Sequence, residues 1–86
     1  MNEEINETAA RICDSAQTFE KVSSLARIVA EMIVRTHWDA SAFRFEATPW
    51  GVVFHCGNSE QNLSGYNFGY QVNLVCNVIE KAGLYE

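Results

Sequence analysis

What this chain has little of narrows its chemistry before any motif is considered. Lysine and arginine are scarce: six in 86 residues against eleven Asp and Glu, for a net charge of −5. The six, Arg11, Lys21, Arg27, Arg35, Arg44 and Lys81, are scattered and form no patch. Such a chain cannot neutralise a run of phosphates, so direct binding to duplex nucleic acid is not expected. Nor does any stretch approach the roughly 18 consecutive apolar residues of a membrane span. The N-terminal MNEEINE is acidic and lacks the apolar core of a signal peptide, which points to a soluble, cytoplasmic protein.

Cysteine is limited to Cys13, Cys56 and Cys76, an odd set without CxxC spacing. That fits reduced, buried thiols better than a secreted disulfide framework. The two histidines, His37 and His55, share no HxxxH or HxH spacing, and His55 and Cys56, as neighbours on a strand, point to opposite faces. No metal and no other cofactor is expected. The pair Gly65 and Gly69 lacks the Lys-Ser/Thr of a phosphate loop. A single proline and 48% apolar residues mark a globular chain, and 86 residues make one domain, 1–86, with no room for a second core.

The patterning that is present predicts α+β architecture. Over residues 3 to 13, Ile5, Ala9 and Ile12 follow helical spacing, continued by Ala16, while Glu3, Glu7 and Asp14 fall opposite. Asp14 with Gln17 resembles a capping box where the chain restarts, with Thr18 as a rival cap. A second helix is predicted over 18–36, with Val22, Leu25, Ala26, Val29, Met32 and Ile33 on one face and Glu20, Ser24, Arg27, Glu31 and Arg35 on the other. Val34 sits on the polar side.

Residues 42 to 56, AFRFEATPWGVVFHC, read as a β-hairpin turning at Pro49 and Gly51. Two registers compete. A type I turn with a glycine bulge pairs Thr48 with Val52 and puts His55 beside Phe45. Moving by one residue gathers Phe43, Phe45, Ala47, Val52, Phe54 and Cys56 on one face and leaves Glu46 and His55 together outside. A slip of one residue reverses every side chain, so the hydrophobic pattern decides for the second. Residues 57–67 read as a polar loop. Tyr66, Phe68, Tyr70, Val72 and Leu74 alternate as a strand would, but Val72, Val75, Ile79 and Ala82 follow helical spacing. The ending decides for a helix over 69–82: Lys81 in its last turn, Gly83 as a left-handed cap and Leu84 in the accompanying apolar contact. Two N-terminal helices, a hairpin and a C-terminal helix then pack in two layers.

Three kinds of chemistry can be drawn on this frame. Cys56 with His37 and Asp39 would make a thiol enzyme, but Cys56 alternates with Val52 and Phe54 on the core face, so no catalytic residue is expected. The stripe Glu3, Glu7 and Asp14 could imitate a row of phosphates, or be an ordinary solvated helix face. The third feature is SGYNFGY, residues 64 to 70, with Trp50 at the hairpin tip. Phe68 is expected to turn inward to close a small core, and Tyr66, Tyr70 and Trp50 to form a surface patch of the residue types that dominate binding hot spots.

Together these features predict a small acidic protein-interaction module, not an enzyme, that binds and blocks or regulates a larger protein, itself a nucleic-acid-binding one in the sharpest version. Trp50, Tyr66, Tyr70, Glu3, Glu7 and Asp14 are the expected contacts. In size and acidity the chain is similar to phage-encoded inhibitors of bacterial defence systems, anti-CRISPR proteins among them. The alternatives are a dimeric regulatory or chaperone-like subunit that self-associates through Val34 and the last helix, and a small enzyme using Cys56 or His55.

Overall fold

The structure, a computed structural model that describes residues 2–84, is α+β. Helices α1 (Asn2–Arg11) and α2 (Ala16–Thr36) lead through a 3-10 turn (Ala40–Ala42) into strands β1 (Phe43–Thr48), β2 (Gly51–Cys56) and β3 (Ser59–Asn62), and helix α3 (Phe68–Lys81) follows. The strands form one antiparallel sheet in the order β1-β2-β3. The helices cover one face of it, α2 over β1 and α3 over β2 and β3, with α1 packed against α2.

The hairpin takes the register set by its hydrophobic pattern. Phe45 stands opposite Phe54, Phe43 opposite Cys56 and Ala47 opposite Val52. The Phe45 and Phe54 rings lie 4.8 Å apart, and Phe43 extends the row to Trp38 at 5.9 Å. Ala47 shares their face but is exposed, because it sits where the sheet runs out. Two-residue hairpin turns favour positive φ at their central residues. Pro49 is unable to adopt it and Trp50 does not, so Gly51 just beyond takes φ +123°.

Leu25, Val29 and Ile33 of α2 are buried with Phe45 and Phe54, as their spacing predicts. Ala26 and Ala30, both fully buried, let the helix approach closely, and Val75, Val78 and Ile79 close the core from α3. Each such side chain contributes about 1.5–3 kcal/mol when buried. At Val22, with φ −126° and ψ 24°, α2 is kinked. A β-branched residue followed by Ser23-Ser24 is a place where such a break occurs.

Four expectations need correction. The first helix ends at Arg11, not 13, and residues 12–14 leave it to run along β1. There Phe45 N–H donates to Ile12 O at 2.7 Å and Asp14 N–H to Phe45 O at 3.0 Å. An open strand edge carries main-chain groups that need partners, and helical periodicity gives no sign of that demand. The cap of α2 is Ser15, whose side chain accepts from Thr18 N–H at 3.2 Å, and neither Asp14 nor Thr18. Residues 57–67 are not all loop, since Gly57, with φ +59°, and Asn58 make a tight turn into β3. Lastly, Phe68 does not point inward. Leu63, extending the β2–β3 ladder through its N–H to Val52 O at 2.8 Å, fills the core instead.

Candidate functional site

Trp50, Tyr66, Phe68 and Tyr70 are the large apolar side chains most exposed among the described residues, at 81, 45, 48 and 49%. Local chemistry holds them in place. At the β1–β2 turn the Thr48 hydroxyl donates to Gly51 O at 2.6 Å and accepts from Trp50 N–H at 3.2 Å, so the proline-initiated turn is fixed from within. Ser64 Oγ donates to Trp50 O at 2.8 Å and thereby ties the SGYNFGY segment to the hairpin tip. A Cβ on Gly51 would lie 1.3 Å from that Oγ, so the contact requires glycine there.

Beyond Ser64 the chain turns at Gly65, φ +83°, and enters α3 through Asn67. The Asn67 side chain accepts from Tyr70 N–H at 2.9 Å, and the Gln71 amide reaches back to Leu63 O at 3.0 Å. Tyr66 and Tyr70, four residues apart across this cap, pack ring to ring at 4.8 Å. Phe68, on the first turn of α3, borders a small hollow at the α2 kink beside Val22, Ser24 and Leu25. The turn tip, the loop and the start of α3 thus present four aromatics at one end of the molecule.

The segments that build this end carry no charge of their own, although Lys21 of α2 borders the hollow beside Phe68. Ala47 to Ser59 and Gln61 to Ile79 contain no Asp, Glu, Lys or Arg. Around the aromatics stand Ser64, Gly65, Asn67 and Gly69, a Tyr/Ser/Gly/Asn composition like that of antibody binding loops. Aromatic rings there give large rigid contact area at low entropic cost, and the small polar residues adapt their hydrogen bonds.

The three acids do not form one stripe. Glu3 and Glu7 are exposed on α1. Asp14 lies past the end of that helix and is turned onto the sheet, where Oδ1 accepts from the Thr18 hydroxyl and Oδ2 from Ala47 N–H at 3.2 Å. The Thr18 bond foremost, with the Ala47 N–H behind it, holds the Asp14 carboxyl below its ordinary value. Asp14 therefore joins α2 to β1. Glu3 and Glu7 belong to α1, which packs on α2, whereas the aromatics belong to the β1–β2 turn, the following loop and the start of α3.

The outer face of the sheet carries a charged row. Glu46 Oε1 meets His55 Nε2 at 2.8 Å and Arg44 at 3.6 Å, and Glu60 stands 4.0 Å from His55 Nδ1. His55 and Glu46 share that face as the register requires, while Cys56 is fully buried on the other. Burial raises the Cys56 thiol, and burial together with the Asp14 charge pushes Cys13 up to about 11. Both shifts run opposite to what activates a nucleophilic thiol. His37, in left-handed conformation at φ +60°, ends α2, and Asp39 accepts from Ser41 N–H at 2.9 Å to start the 3-10 turn. Among the described residues no hydrogen bond joins either of them to Cys56, and no three His, Cys, Asp or Glu side chains gather as metal ligands would. Val34 is half-buried in a shallow hollow beside Thr8 and Trp38.

Sequence reasoning placed Trp50, Tyr66 and Tyr70 in this region but missed Phe68 as their neighbour. The available signal was Asn67, an N-cap residue one position before it, because a side chain on the first turn of a capped helix sits at the rim. No helix among the described residues is long and apolar enough to cross a membrane. No protein-family model, curated protein or solved structure matches the chain.

Proposed function

We propose that this chain is a protein-interaction module whose aromatic end occupies a surface of a larger partner protein and so blocks or regulates it. The supporting observation is the set of Trp50, Tyr66, Phe68 and Tyr70, exposed together on segments that carry no charge in an otherwise acidic chain. Trp and Tyr in such clusters anchor interfaces by filling pockets from which water is expelled. The fold contributes backbone rigidity: the turn that carries Trp50 is closed, Tyr70 lies on a capped helix and Tyr66 packs on Tyr70, so little main-chain order is lost on binding. Blocking of this kind, by occupation and not by reaction, is how we read the likeness in size and charge to phage-encoded inhibitors of defence systems. The cytoplasm, where three unpaired thiols persist, is the compartment proposed with it.

The partner is first captured from native host lysate, and its affinity for variants is then measured. Trp50→Ala or Tyr66→Ala is expected to cost about 2 kcal/mol or more, roughly 30-fold in Kd, with melting unchanged. Reversing Glu3 and Glu7 is expected to slow association only, and less so at high salt, because exposed charges are screened. If the aromatic variants bind normally while the glutamate variants fail at every salt concentration, α1 is the recognition surface and the proposal is wrong.

A further inference from the structure

The two edges of the sheet are finished differently. On β1, both main-chain groups of Phe45 are taken by residues 12 and 14, and Ala47 N–H by the Asp14 carboxylate. On β3, Leu63 N–H donates to Val52 O, and hydrogen-bonded pairs alternate along an antiparallel ladder, so Ser59 and Gln61 are the residues whose main chain faces β2. Glu60 and Asn62 therefore turn their N–H and C=O groups outward. The Gln61 side-chain amide covers Asn62 O at 3.0 Å. Beside this edge runs a groove of about 540 Å³, with Ser59, Glu60 and Gln61 on one wall and Leu74, Val78 and Lys81 of α3 on the other.

We propose that the open edge of β3 docks an extended, basic segment of a partner protein, which adds to the sheet as a further strand. Unpaired strand edges are templates for such addition, with main-chain bonds giving affinity and alternate side chains giving specificity. Geometry sets the alternation. Residues lying beside Ser59 and Gln61 face α3 and meet Leu74 and Val78, so they are apolar. A residue beside Glu60 is Lys or Arg, because it faces the outer side of the sheet next to that carboxylate, while Glu46, on β1, is engaged by His55 and Arg44. Glu60 and Glu80 outnumber Lys81 at the groove, and the chain as a whole carries −5. A second copy of this chain would bring the same sign of charge and another Glu60 to the edge, which makes it the poorer occupant. The inference does not rest on the aromatic end, which uses other residues.

The test titrates the full chain with a synthetic peptide of alternating lysine and valine while amide exchange is followed by nuclear magnetic resonance. In the free protein the Glu60 and Asn62 amides are expected to exchange freely, and saturating peptide is expected to slow them about tenfold or more, as new strand pairing does. A peptide of the same composition with its valines in one block binds at least about tenfold more weakly, the loss of roughly one hydrogen bond or apolar contact. Glu60→Pro, a substitution that strand edges tolerate, and Leu74→Lys each weaken the alternating peptide, and Trp50→Ala leaves it unchanged, which separates this site from the aromatic end. Should Glu60→Pro disturb folding, Leu74→Lys and the exchange data decide. The proposal is overturned if the two amides are already protected in the free chain, if protection grows with protein concentration alone, or if alternating and block peptides bind equally.

Discussion

Gly51 and Asp14 show how single residues fix the geometry on which the larger surfaces depend. Gly51 is constrained twice, by φ +123° and by Ser64 Oγ in the space a Cβ would take. Gly51→Ala is expected to destabilise by about 1–3 kcal/mol from backbone strain alone, with the clash added. In urea melts, adding Ser64→Gly to it is expected to recover the clash and leave the strain. Full recovery would mean φ is not held positive. Asp14 gives a pH signature. Its folded pKa lies below the unfolded one, so its contribution is present above about pH 4 and is lost as pH falls through the lowered value. Asp14→Asn is therefore expected to be less stable than the parent near neutral pH and to lose less stability on acidification. Parallel acid melts of the two proteins check this.

At the level of elements, what could be read from the sequence was what periodicity encodes. The apolar face of α2 and the alternation in β1 and β2 are local patterns strong enough to determine both elements and the register between them. The turn chemistry of Thr48-Pro49-Trp50-Gly51 argued for a different register and yielded, because misplacing Phe45 and Phe54 costs far more than an unusual turn. Residues 12–14 and β3 were not legible in the same way. Each is short and polar or mixed, and each exists because a neighbouring strand has main-chain groups to satisfy, a tertiary demand without a sequence period. The Gly57-Asn58 pair was a readable hairpin signal that the polar run after it obscured. The exchange of Phe68 for Leu63 follows from β3: once the ladder extends to residue 63, the core position is filled and Phe68 is left at the rim. Leu63→Ala is then expected to cost about 2–5 kcal/mol and Phe68→Ala about 1 kcal/mol or less, measured by denaturant melts. The reverse order would restore Phe68 to the core.

Across the whole molecule, the four exposed aromatics lie on segments that carry no charge. Among the described residues, acids lie on α1 and α2, on the outer face of the sheet and near the end of α3, while the β1–β2 turn tip, the loop 63–67 and the first turns of α3 carry none. On the proposed reading, such a division leaves the aromatic end to anchor a partner. The most direct measurement is photo-crosslinking in native host cells, with p-benzoylphenylalanine replacing Trp50 in one strain and Glu7 in another. A discrete adduct with a larger protein is expected from position 50, lost when Tyr66→Ala is added, and none from position 7. An adduct from position 7 with none from position 50 would contradict the aromatic end as the binding surface.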